Sequence, residues 1–128
     1  MKVAVIGASN KPDRYSYKAL KLLKEKGHTV FPVNPILKEI EGCKVYPALK
    51  NIDGQVEVVT LYLGPANQTA LAEQLLEVRP QCVIFNPGTE NPELIEKLAA
   101  AGIKTLEACT LVLLNTAQFE AACRDDQS

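Results

Sequence analysis

Val3-Ala-Val-Ile-Gly-Ala-Ser-Asn-Lys-Pro-Asp-Arg14 carries the strongest structural signal in this chain. An apolar strand, Lys2–Ile6, runs into a turn of small residues, and an amphipathic helix follows over Tyr15–Lys26. Such a strand–turn–helix aims free backbone N–H groups at one point, where a nucleotide's pyrophosphate settles in doubly wound folds. Further on, Val30-Phe-Pro-Val-Asn-Pro35 falls where a second strand, Thr29–Val33, should end. The two segments form opposite walls of one cleft.

Outward from this point the pattern alternates between strand and helix. Ala19, Leu20, Leu22 and Leu23 line the inner face of the first helix, and Gly27 stops it as a C′ residue. Pro32 lacks a ladder N–H, so pairing must be interrupted near the end of the second strand. Within 36–52, Glu41-Gly42 reads as a turn, Lys44-Val-Tyr46 as a short extended piece and Pro47–Asn51 as one helical turn. A third strand, Val56–Leu63, is apolar on both faces, as buried parallel strands are. Gly64-Pro65 opens a second helix that reaches Val78, and Arg79-Pro80 breaks it before a fourth strand, Cys82–Phe85. Asn91 caps the next helix, Pro92 takes its first position and Gly102 ends it. Ile103–Glu107 is a fifth strand, and after the Cys109–Leu114 run a short helix spans Ala117–Cys123. This pattern predicts an α/β, Rossmann-like, doubly wound fold: a mostly parallel five-stranded sheet, order 3-2-1-4-5, with helices on both faces. Residues 1–123 form one domain and 124–128 a disordered tail.

Composition excludes several classes. With 128 residues, 47% hydrophobic, 23% charged and a net charge of −1, the chain has no basic block suited to nucleic acid. No apolar run approaches the roughly 18 residues of a membrane span, and Met1-Lys2 leads into a strand rather than a signal peptide, so a cytoplasmic location is expected. Cys43, Cys82, Cys109 and Cys123 are widely spaced, which favours free thiols, and His28 is the sole histidine, so no clustered metal site is expected. His28 reads as a surface residue at a helix C-terminus.

In such a sheet, ligands bind beyond the carboxyl ends of the strands where strand order reverses, here between the first and fourth strands. The loops converging there are Gly7–Asp13, which includes Asn10, then Asn34-Pro35, Gly64-Pro65, Asn86–Asn91 with Gly88, and Ala108-Cys109. The first loop has one glycine, not the three of a dinucleotide fingerprint, and the second strand ends in Val33-Asn34, not in the carboxylate that grips a ribose diol. A neutral amide there tolerates a phosphorylated ribose. Lys11, Arg14 and Lys18 are placed to meet phosphate oxygens, or else form an ordinary solvated face.

Gly7-Ala-Ser9, Lys11-Pro12, Arg14, Pro32-Val-Asn-Pro35, Ile40-x-Gly42 and Tyr46-Pro47 together resemble the small stand-alone CoA-binding proteins. That domain is similar to the nucleotide-binding domain at the start of the succinyl-CoA ligase α subunit. The resemblance runs from Val3 to about Cys109. It implies that coenzyme A or an acyl-CoA is held with its pyrophosphate on the first loop and its adenosine against Pro-Val-Asn-Pro. The contacts it implies are Gly7, Ala8, Ser9, Lys11, Arg14, Val33, Asn34 and Pro35, to which the topology adds Asn10, Gly64, Pro65, Asn86 and Gly88. The chain departs from the family after the fourth strand, where Phe85-Asn-Pro-Gly-Thr-Glu-Asn91 replaces an aromatic- and Gln-containing motif.

No cysteine, serine or carboxylate stands with a legible base, so no catalytic residues are assigned, and Cys109 is read as an inert small hydrophobe before a nucleophile. The first reading is non-catalytic binding of CoA or acyl-CoA. The alternatives are a small NAD(P)-binding oxidoreductase and a regulatory subunit of a larger complex. The sheet edge and the Cys109–Leu114 run are candidate homodimer surfaces.

Overall fold

The computed structural model describes residues 1–124; of the tail expected at 124–128, residues 125–128 lie outside the described residues. The five principal strands are β1 (Lys2–Ile6), β2 (Thr29–Val33), β5 (Val58–Leu61), β6 (Cys82–Phe85) and β7 (Lys104–Glu107), all parallel, in the order β2-β1-β5-β6-β7. A separate two-stranded hairpin joins β3 (Glu39–Ile40) to β4 (Cys43–Lys44). Its turn residues Glu41 and Gly42 both have positive φ, 50° and 78°, the twist that a two-residue hairpin requires.

Helices cover both faces. Ala4, Ile6, Val59, Leu61, Val83 and Phe85 meet Leu71 and Leu75 of α2 (Thr69–Val78) and Leu94 and Leu98 of α3 (Pro92–Ala100). Val3, Val5, Val58 and Ile84 meet Leu20 and Leu23 of α1 (Tyr15–Glu25), Leu114 of α4 (Thr110–Asn115) and Phe119 of α5 (Phe119–Cys123). The alternation of strand side chains between faces divides the core this way. Each fully buried Leu or Phe contributes about 1.5–3 kcal/mol. Among the described residues no helix is long and apolar enough to cross a membrane.

The α/β Rossmann-like class and the five-stranded parallel sheet are as the sequence predicts, and the 3-2-1-4-5 pattern is present. The segment expected in its edge position is not there. The run read as the third strand becomes β5, paired on both sides between β1 and β6. The outer edge holds only a single parallel bridge, Val33 to Tyr46, so position three belongs to the Lys44–Tyr46 piece and β5 is position four. Burial explains the exchange: every β5 residue is fully buried, and such a strand belongs at the centre of a sheet. Pro32 explains why the edge strand is so short. Its carbonyl accepts from Tyr46 N–H (2.9 Å) and Asn34 N–H donates back to the Tyr46 carbonyl (3.0 Å), so the missing Pro32 N–H faces the same outer edge and ends the ladder.

Other boundaries moved for local reasons. Gly64-Pro65 opens a 3₁₀ turn, Pro65–Asn67, before α2 begins, and Arg79 closes α2 in the left-handed region, at φ 53°. From Thr110 the Cys109–Leu114 run is a helix, α4, packed on α1 with Thr110 and Leu114 buried and Val112 exposed.

Candidate functional site

At the end of β1 the chain turns at Gly7, whose φ of +84° suits glycine. A Cβ there would lie 3.1 Å from the Tyr62 backbone carbon and oxygen and 3.2 Å from Leu63 Cδ2. The first loop is thus pressed against the segment that follows β5. Gly7 and Ala8 N–H both donate to the Val33 carbonyl, at 3.2 and 3.1 Å. These two groups, expected to cradle phosphate, instead bind the loop to β2. Asn34 completes the latch: its Nδ2 donates to the Ala8 carbonyl (2.9 Å), and its Oδ1 accepts from Ile36 and Leu37 N–H (2.8 and 2.9 Å). Asn34 therefore shapes the loop through its amide, while Val33 and Pro35 line the adjoining slot.

The free donors lie further along. Among the described residues, no acceptor is paired with the N–H groups of Ser9, Asn10, Tyr15, Ser16 or Tyr17. Ser9 Oγ is occupied by Lys11 N–H at 3.1 Å. The N-terminus of α1 has no side-chain cap and no acidic residue in its first turn, whereas α3 is capped by Asn91, which accepts from Leu94 N–H, and carries Glu93. The dipole and orphan donors of α1 are therefore open to an anion, and those of α3 are already answered. Lys11, Arg14 and Lys18 are exposed around this end.

Gly7, Ser9, Arg14, Tyr15, Ser16, Tyr62, Gly64, Gly88 and Thr89 line a cleft of about 260 Å³ over that helix end. It adjoins two others. On the β2 side an apolar slot of about 350 Å³ shares Gly7 and runs between Pro35, Pro47 and Leu71. On the β6 side a chamber of about 220 Å³ shares Tyr15, Tyr62 and Pro87 and ends at Asn86, Cys109 and Leu111. The three make one groove along the carboxyl edge of the sheet, slot to cleft to chamber. A larger cavity of about 380 Å³ lies at the opposite, amino end near Lys26, His28, Leu114 and Phe119, away from every predicted ligand contact.

Asn86 supports the chamber floor. Its Nδ2 donates to Thr60 Oγ1 (2.7 Å) and the Leu61 carbonyl (2.8 Å), and its Oδ1 accepts from Thr110 N–H (2.8 Å). Thr60 and Thr110 hydroxyls are 2.8 Å apart. The adjacent Tyr62 hydroxyl is buried beside these two threonines, without a partner in good hydrogen-bond geometry. Burial pushes the Tyr62 phenol up to about 12, with the nearby Thr110 and Thr60 hydroxyls pulling the other way.

The structure thus gathers Gly7, Ser9, Arg14, Gly64 and Gly88 in the cleft, Val33 and Pro35 in the slot and Asn86 at the chamber. Ala8 is buried beneath the loop, and Asn10, Lys11 and Pro65 are exposed outside the cavity walls. Gly88, at φ +94°, donates to Glu90 Oε1 (2.9 Å), which fixes Glu90 in the loop. Sequence reasoning missed Tyr15, Ser16 and Tyr62. Tyr62 was hidden because the strand was drawn to Leu63; β5 ends at Leu61, and a residue just past a central strand is the signal that finds it. His28 is not a surface residue: it is 9% exposed, edge-on to Phe119 (5.1 Å), with Nδ1 2.8 Å from the Met1 amine. All four cysteines are free thiols, Cys82 and Cys123 buried.

A family model described as CoA binding domain matches residues 1–115. Among curated relatives, the uncharacterized protein YneT of Bacillus subtilis is 32% identical over 101 residues, covering 79% of this chain and 75% of its own. The α subunit of ADP-forming acetate–CoA ligase II from Pyrococcus furiosus is 43% identical over 60 residues, or 46% of this chain but only 13% of the ligase subunit. Of the solved structures, an uncharacterized protein overlays with a TM-score of 0.86 at 41% identity, covering 92% of this chain and 97% of its own. A hypothetical protein from Pyrococcus horikoshii overlays with a TM-score of 0.86 at 34% identity, covering 90% and 82%.

Proposed function

This chain belongs to the CoA-binding domain family, and from that premise we propose that it binds coenzyme A or an acyl-CoA along the carboxyl edge of the sheet without transforming it. The observation that carries the reading is the open N-terminus of α1 midway along the groove, with unpaired N–H groups at Ser9 and Tyr15–Tyr17, no acidic residue in its first turn and Arg14 beside it. An anionic pyrophosphate fits that position. The apolar slot between Pro35, Pro47 and Leu71 suits the adenine ring, and the chamber beyond Tyr62 suits the far end of the pantetheine arm. Two features disfavour a nicotinamide dinucleotide: the missing fingerprint glycines and Asn34, whose amide is already committed to Ala8, Ile36 and Leu37. Among the described residues, the groove walls carry Ser9, Ser16 and Cys109 but no histidine, lysine or carboxylate to serve them as a base, which favours capture over reaction.

Thermal unfolding with CoA, acetyl-CoA, NAD, NADP and FAD tests this. At a hundredfold excess over Kd a true ligand stabilises the fold by about 2.7 kcal/mol. Stabilisation by CoA but not by the dinucleotides is expected; stabilisation by NAD with none from CoA would overturn the reading.

A further inference from the structure

We propose that the cavity at the amino end of the sheet, lined by Lys26, His28, Leu114, Phe119 and Arg124, is a second binding site, and that its ligand is a small organic acid: one carboxylate on an apolar body. The site lies at the opposite end of the sheet from the nucleotide groove, and the inference does not rest on the CoA reading. At about 380 Å³ the cavity exceeds each compartment of the groove and falls within the range of small-molecule pockets. Topology builds it. Gly27 turns the chain from α1 into β2, which leaves Lys26 and His28 on either side of the turn. Helices α4 and α5 bring Leu114, Phe119 and Arg124 to the same place.

The observation that points to a ligand is the His28 ring. It is 9% exposed and packs edge-on against Phe119, with ring centroids 5.1 Å apart. Its Nδ1 accepts from the Met1 amine at 2.8 Å, which places the proton of the neutral ring on Nε2. Burial, then the N-terminal charge, favour that neutral ring. Among the described residues the Nε2–H has no acceptor. Nor is it sealed from solvent: among those residues, only the Tyr62 hydroxyl is both unpaired and without open surface. The Nε2–H is therefore a donor reachable from the cavity that His28 lines, and an unmet donor in so buried a side chain is costly.

Charge selects the class of ligand. Arg124 is answered by Glu120 at 3.3 Å, whereas Lys26 has no carboxylate partner among the described residues. One unpaired ammonium and one neutral N–H match a single carboxylate, which takes an ionic contact from the first and a hydrogen bond from the second. A phosphate dianion would keep one charge unanswered. Leu114, Phe119 and Ala121 present carbon alone, which suits an apolar body.

His28 is the sole histidine, so its imidazole resonances report on this cavity directly. Titration of the full chain with phenylacetate, at neutral pH and constant ionic strength, should shift them saturably. Phenylacetamide, the neutral isostere, should bind about five- to tenfold more weakly, and acetate, which lacks the ring, more weakly than phenylacetate. Lys26→Gln, at an exposed position, should weaken phenylacetate about two- to fivefold and leave phenylacetamide unchanged. Ala121→Trp, which fills the cavity from the exposed face of α5, should weaken both. A His28 shift that rises without saturating, equal affinity for acid and amide, or phenylacetate binding indifferent to Lys26→Gln overturns the site. Each of those outcomes leaves the CoA reading standing.

Discussion

Replacing Gly7 with alanine separates two costs that the structure assigns to different positions. Gly7 and Gly27 have nearly the same backbone, φ +84° and +88°. Alanine at either position bears the left-handed penalty of about 1–2 kcal/mol. At Gly27 nothing lies within 4 Å of the added Cβ. At Gly7 it meets the Tyr62 backbone at 3.1 Å, atoms that cannot swing aside as a side-chain end can. That crowding adds about 1–3 kcal/mol. Gly27→Ala should therefore cost about 1–2 kcal/mol and Gly7→Ala about 2–5. With a urea dependence of about 1–3 kcal/mol per molar, the Gly7 variant should unfold at clearly lower urea than the Gly27 variant. Because Tyr62 borders both the cleft and the chamber, only Gly7→Ala should weaken CoA binding. Equal unfolding midpoints for the two variants would refute the claim that the first loop is pressed against the segment after β5.

Asn34→Ala removes one donated and two accepted hydrogen bonds and should destabilise the protein by about 1.5–3 kcal/mol in urea titrations, with CoA affinity falling as the latch to Ala8 opens. Arg14→Ala should weaken CoA about two- to fivefold in calorimetry and dephospho-CoA by as much, because this exposed cation lines the pyrophosphate cleft rather than the adenosine slot; a loss confined to CoA would move Arg14 to the 3′-phosphate. Burial, then the neighbouring N-terminal amine, lower the His28 pKa below its ordinary 6.5, although Glu120 and the Met1 backbone pull it upward. The neutral form is the one the fold favours, so His28 contributes stability that is complete above pH 6.5 and lost as pH falls below it. Unfolding midpoints should decline over that interval, and His28→Gln should flatten the decline.

The fold was legible wherever a residue pattern had a single structural solution. Gly27 and Gly102 ended their helices, Asn91 and Pro92 began one, and the apolar run of β1 entered a glycine turn. The place of β5 was harder to read because strand order is a tertiary property. Its run, apolar apart from Thr60, signalled a central strand, yet chain order favoured the edge. The short α4 escaped notice because six residues, Thr110–Asn115, are too few to display a helical period. At the site, the loop glycine and the crevice were readable from sequence, but the donors were not. Which N–H groups remain free depends on the Val33 carbonyl, and register alone brings it to Gly7 and Ala8. The Thr60–Thr110–Asn86 network is likewise tertiary, since it joins three segments distant in sequence.

Amide chemical-shift mapping during a CoA titration tests the location of the ligand most directly. The account predicts that Ser9, Asn10 and Tyr15–Tyr17 amides move most, with smaller shifts at Leu63 and Gly88, while Gly7 and Ala8, bonded to Val33, move less than Ser9. Shifts concentrated at Lys26, His28, Leu114 and Phe119, around the cavity at the opposite end of the sheet, would contradict it.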